Sequence, residues 1–122
     1  MITFCEARAR QEGWLISNSR CRRNHNPGNI MYGAFAKRHG STGPDSDGYS
    51  IFPSDQAGFN AMSELLEAYY IGLTVAQAIQ KWAPASAGNP TASDIENTCR
   101  WTGLKENTVL TADLLAPPQL EA

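Results

Sequence analysis

Cysteine is scarce in this 122-residue chain: Cys5, Cys21 and Cys99 are the only three. An odd number at wide spacings argues against a disulfide-stapled scaffold and lacks the paired short spacings of a zinc site. One disulfide can form in three ways with a thiol left over, but the three read more simply as small buried residues. No excess charge of either sign is present, since ten Lys and Arg face twelve Asp and Glu for a formal net charge of −2. That balance argues against a nucleic-acid binder held by bulk phosphate attraction. The basic cluster Arg20, Arg22, Arg23 and His25 reads as a solvated face. Long apolar runs are missing too: none approaches the roughly 20 residues of a membrane-spanning helix. Nor does the start carry the charged segment and apolar stretch of a secretory signal. Nucleic acid and membrane insertion are therefore not expected. Work outside the cytoplasm would require delivery by a phage, a secretion system or a parent polypeptide. Repeats and low-complexity stretches are absent, and the length suits one monomeric domain, expected over residues 1–116 with a tail over 117–122.

What is present is organised as helix, turn-rich segment and helices. Ile2, Cys5 and Ala9 form a stripe that predicts a helix from Ile2 to about Gly13. The next position on that stripe is Glu12, a carboxylate on an apolar face, where burial costs free energy unless the group is paired, hydrogen-bonded or protonated. Glu6, about 240° away around the helix, cannot pair with it. From Ser17 to Pro53 helical periodicity gives way to turn formers, with β-prone runs at Ile30 to Phe35 and Tyr49 to Phe52. These predict a small antiparallel hairpin with a long mobile tip at 40–48. Ser54 or Asp55 then caps a helix with Phe59, Met62, Leu66 and Tyr69 in its core stripe. Thr74 and Gln77 form a capping box for a helix through Val75, Ile79 and Trp82, which Pro84 stops. Thr91, with Asp94 three residues on, opens a third helix that Gly103 ends, and a short turn follows near Ala112 to Leu115. The expected class is α+β, mostly α.

Several of these residues carry a resemblance. Ala9-Arg10-Gln11-Glu12-Gly13-Trp14, followed by Arg23-Asn24-His25-Asn26-Pro27-Gly28-Asn29-Ile30, resembles the opening of lysozyme-like cell-wall glycosidases. Most similar are bacterial and phage-associated muramidase-like domains that share an Asn-x-Asn-Pro-Gly-Asn-[Ile/Leu] loop. Flagellar-type N-acetylglucosaminidases and soluble lytic transglycosylases share the layout more distantly. The similarity continues through Gly48-Tyr49-Ser50-Ile51-Phe52-Pro53, Ala57-Gly58-Phe59, Leu73-Thr74 to Trp82-Ala83-Pro84, Asn89 and Thr91, so it spans about residues 5 to 110. The sequence departs from the pattern at His25, where asparagine is common, and at Met31, where arginine is common.

The resemblance implies a lysozyme-like fold whose first helix ends in a catalytic glutamate, and cleavage of the β-1,4 glycan strands of peptidoglycan in the wall, periplasm or extracellular space. No metal or cofactor is implied. Such cleavage needs a proton on the leaving oxygen, the role that suits Glu12. Gly13 would allow close approach of a sugar and Trp14 would offer a ring for stacking. Asn24, Asn26 and Asn29 supply amides for hydroxyl and N-acetyl groups or for holding Glu12. Tyr49 is the preferred tyrosine for substrate contact, with Tyr69 and Tyr70 assigned to the core. Asn89 is a candidate contact beyond Trp82-Ala83-Pro84. A second carboxylate would set the mechanism, and Asp45 and Asp47 on the hairpin tip are the candidates, with Asp55 better explained as a cap. Without one, the substrate's own N-acetyl group would support the developing charge and a single glutamate would serve as acid, then base. The competing readings are a non-catalytic wall-binding or virion module of the same shape, and a chitin-directed glycosidase.

Overall fold

The computed structural model describes residues 1–120, so 121–122 of the expected tail lie outside the described residues. It is mostly helical with one two-stranded antiparallel sheet. Helix α1 spans Phe4–Gln11, opened by a capping box in which Thr3 accepts from the Glu6 N–H and Glu6 reaches back to Thr3. Two short helices, α2 (Arg20–Arg23) and α3 (Ala34–Arg38), stand where the sequence suggested no helix. For α3 the reason is composition: after Gly33, the run Ala-Phe-Ala-Lys-Arg contains four good helix formers and a single β-prone residue.

The hairpin is correspondingly shifted. Strand β1 (Gly43–Pro44) pairs with β2 (Ser50–Ile51), placing Gly43 opposite Ile51 and Pro44 opposite Ser50. The expected strand at 30–35 contributes only a bridge from Met31 to Tyr49, flanked by Ser50 N–H to Ile30 and Tyr32 N–H to Gly48. Nor is the 40–48 segment a free tip. Asp45 Oδ1 accepts from the N–H groups of Asp47 and Tyr49, and Asp45 Oδ2 accepts from Asn24 Nδ2.

Helix α4 (Asp55–Tyr69) is capped by Ser54, and it buries Phe59, Met62 and Leu66. Each such side chain contributes about 1.5–3 kcal/mol of burial. The last member of the stripe is Tyr70 rather than Tyr69: Tyr70 is 8% exposed and Tyr69 58%. Gly58 explains the Ala57-Gly58-Phe59 motif, because a Cβ there would collide with the His25 carbonyl and approach Pro27 Cδ to 2.8 Å. The asparagine loop can therefore lie directly on α4. Helix α5 (Val75–Trp82) has the expected Thr74–Gln77 capping box, and a short 3-10 turn at Ala85–Ala87 follows.

Helix α6 (Thr91–Thr102) ends at Gly103, whose φ of 76° suits glycine. It starts at Thr91 as expected, with Pro90 at the N-cap, while Asp94 is buried against α1. There Arg8 Nη1 donates to Asp94 Oδ2 at 3.1 Å, Arg8 Nη2 bonds Asp94 Oδ1, and Nη2 also donates to Thr98 Oγ1 at 2.8 Å. This polar contact accounts for the weak apolar face of α6. The 3-10 turn Asp113–Leu115 closes the core, with the Leu115 carbonyl accepting from Ser63 and Cys5. Residues 117–120 run along α4, where Gln56 donates to the Pro118 carbonyl and accepts from the Leu120 N–H. All three cysteines are free thiols; Cys5 and Cys21 are buried and Cys99 is partly so.

Candidate active site

The position of Glu12 follows from how α1 ends. The Trp14 N–H bonds to the Ala9 carbonyl at 3.0 Å and the Gly13 N–H to Arg10 at 3.2 Å, the paired bonds of a Schellman motif. Gly13 takes the left-handed position with φ 102°. The Glu-Gly-Trp sequence is thus a helix terminator, and Gly13 serves the turn rather than a sugar. It leaves Glu12 on the last turn, in line with buried Cys5 and Ala9.

Glu12 opens into a cleft of about 390 Å³. Gly28, Asn29, Ile30, Met31 and Tyr49 line it together with Leu65, Tyr70 and Trp82. Two neutral donors hold the carboxylate: Trp82 Nε1–H donates to Oε1 at 3.0 Å and Asn29 Nδ2–H to Oε2 at 3.3 Å. Gly28 packs closely on Trp82: a Cβ there would sit 3.3 Å from Trp82 Cη2 and 3.3 Å from Met62 Cγ, a tight fit that the neighbours would have to yield to. The Tyr70 ring lies 5.7 Å from that of Trp82. Burial pushes the Tyr70 phenol above its ordinary value, with the Arg8 charge opposing. Tyr49 carries the Arg20 guanidinium over its ring at 4.4 Å.

The asparagines divide the work. Asn26 is fully buried, its amide donating to the Ile30 and Ser50 carbonyls and accepting from the Ile30 N–H. It ties the loop to β2 and has no capacity left for a sugar. Asn24 is spent on Asp45. Only Asn29 reaches the cleft, from a left-handed backbone at φ 48°.

Four further candidates lie outside the cleft lining. Trp14 packs edge-on against Phe59 at 5.2 Å under the Arg22 guanidinium. Asn89 is exposed and bonds the Pro84 carbonyl. Asp45 and Asp47 are likewise not in the lining: Asn24 and two backbone N–H groups occupy Asp45, and Arg20 pairs with Asp47 at 2.9 Å. Asn24 first, then the Tyr49 and Asp47 N–H groups, hold the Asp45 carboxyl below its ordinary range against desolvation. Asp55 pairs with His25 at 2.7 Å. Among the described residues, Glu12 is therefore the only carboxylate lining the cleft.

Trp82 as a partner of Glu12 was the residue sequence reasoning missed. A signal existed, since an indole N–H on a buried stripe needs an acceptor and Glu12 was the unexplained acceptor on an apolar face. Compared with known protein families, curated proteins and solved structures, the chain matches none.

Proposed function

We propose that this chain is a lysozyme-like enzyme that cleaves the β-1,4 glycan strands of peptidoglycan, with Glu12 as its single acid/base, acting in the wall or periplasm. The observation that carries the reading is the one carboxylate that lines the cleft among the described residues, oriented by two neutral donors in a trough lined by Tyr49, Tyr70 and Trp82. Aromatic faces and amides in a half-open cleft suit pyranose rings and acetamido groups. With Asp45 and Asp47 engaged elsewhere, the two-carboxylate routes lack their second member. The geometry favours the substrate-assisted route. Glu12 protonates the glycosidic oxygen as the C1–O bond breaks, and the acetamido carbonyl oxygen closes on C1. The Glu12 carboxylate then takes the proton of the attacking hydroxyl. When that hydroxyl is the sugar's own C6–OH, the product is a 1,6-anhydro end.

Mass spectrometry of purified peptidoglycan digested with the wild type and with Glu12→Gln tests this. The expected outcome is anhydro-ended muropeptides from the wild type and at least a hundredfold fewer from the variant. Equal product from both removes Glu12 from the chemistry, hydrated reducing ends replace the internal nucleophile by water, and wall binding without any product leaves a binding module. Chitin oligomers in parallel show whether the groove accepts strands lacking the lactyl-peptide branch.

A further inference from the structure

The two Glu12 oxygens have unlike partners. Oε1 faces the Trp82 indole, which can only donate, whereas Oε2 faces the Asn29 amide, which carries both donors and an acceptor. The Trp82 contact is the shorter, 3.0 Å against 3.3 Å. Asn29 Oδ1 is moreover buried and accepts no hydrogen bond, an unusual condition for a buried carbonyl oxygen. Half of this amide is thus unused while the other half holds the carboxylate.

Resting on the acid/base reading of Glu12, we propose that the transferable proton resides on Oε2 and that Asn29 is a positioning residue whose amide turns over with each proton transfer. Protonating Oε1 would turn the acceptor that Trp82 uses into a hydroxyl oxygen, a poorer acceptor. Protonating Oε2 sets two hydrogens face to face with Asn29 as it stands. A half-turn of that amide removes the conflict and brings the idle Oδ1 round to accept from Oε2–H. Trp82 then keeps Oε1 fixed in both states, so the carboxyl group stays in place while its charge changes. During cleavage the proton leaves Oε2 for the glycosidic oxygen, which also receives the electron pair of the broken C1–O bond. The resulting carboxylate recovers the Asn29 Nδ2–H. When Oε2 later takes the proton of the attacking hydroxyl, the amide turns again. The left-handed backbone of Asn29, φ 48°, sets the Cα–Cβ direction and leaves the amide plane as the moving part.

Nuclear magnetic resonance of the labelled wild type, without substrate, is the test, following Glu12 Cδ, the Asn29 side-chain amide and the Trp82 indole proton through an acid titration. The expected result is that the Asn29 resonances change with the same midpoint as Glu12 Cδ while the Trp82 proton keeps its bonded position throughout. Loss of the bonded Trp82 signal on acidification, with Asn29 unmoved, would place the proton on Oε1 and overturn the proposal. Asn29→Gly, which tolerates the left-handed backbone without strain, is the companion variant. It should lower kcat about ten- to a hundredfold with little change in KM and shift the alkaline limb of the pH–rate profile, where the general acid loses its proton. An unchanged profile would also overturn the proposal. Since the titration needs no turnover, a failure of the glycan-cleavage reading alone leaves the resonance result standing, and the two failures are distinguishable.

Discussion

Arg8 and Glu12 are one helical turn apart on α1 and project toward the same side, yet the protein handles their charges in opposite ways. Arg8, 1% exposed, is closed in by Asp94 and Thr98 of α6. Opposite charges sealed together in this way form a structural contact that neither partner can leave without exposing the other as an unpaired buried charge. None of the ion pairs among the described residues includes Glu12. It is held by an indole and an amide at the edge of a cleft. Neutral donors fix its direction and supply no countercharge. The buried charge met by a countercharge is a clamp; the partly buried one, met only by dipoles beside an opening, is the one on which the proposed chemistry rests.

The largest effect expected from breaking this comparison is on the clamp. Asp94→Ala leaves the Arg8 guanidinium buried without its countercharge and should cost about 3–5 kcal/mol in urea unfolding, whereas Asp94→Asn, which keeps hydrogen bonds to Arg8, should cost less. On the cleft side, Trp82→Phe removes the donor to Oε1 and keeps most of the ring packing. Glycan cleavage should fall about ten- to a hundredfold, mainly in kcat, with about 1 kcal/mol lost in stability. A stability loss matching that of Asp94→Ala would make Trp82 a core residue first.

A smaller effect concerns the hairpin. Because folding lowers the Asp45 carboxyl below its ordinary value of 3.8, its stabilising effect is fully present above that value and is lost as pH falls through the lowered one. Acid unfolding of the wild type and Asp45→Asn should therefore converge toward low pH, and a constant gap would contradict the assignment. The smallest effect is on the thiols. Burial pushes Cys5 up to about 12, so the native protein should show one thiol, the partly exposed Cys99, reacting well before the other two.

Much of the frame was legible because it rests on local rules. The Thr74–Gln77 box, the Ser54 cap, the stop at Gly103 and the inward register of Glu12 each follow from a few neighbouring residues. What escaped depends on distant partners. Asp94 has the spacing of a capping residue, and only the approach of Arg8 from α1 makes it a buried counterion. Asn24 and Asn26 are as suited to sugars as Asn29; which one faces the cleft is decided by the packing of the loop on Gly58 and β2. Tyr69 and Tyr70 differ by one residue of register, about 100° of helix, too fine for a stripe to resolve at a helix end. Asp47 is exposed as its turn-rich setting suggests, but the partners of Asp45 and Asp47, Asn24 and Arg20, lie over 20 positions away in sequence and so were not legible.

The central contrast is tested most directly by measuring glycan cleavage and thermal unfolding together on Glu12→Gln. The substitution keeps the shape of the side chain and an acceptor for Trp82, and removes the exchangeable proton. The account predicts a loss of cleavage of at least a hundredfold with a stability change within about 1 kcal/mol. A variant that unfolds much more readily, or one that cleaves as the wild type does, would contradict it.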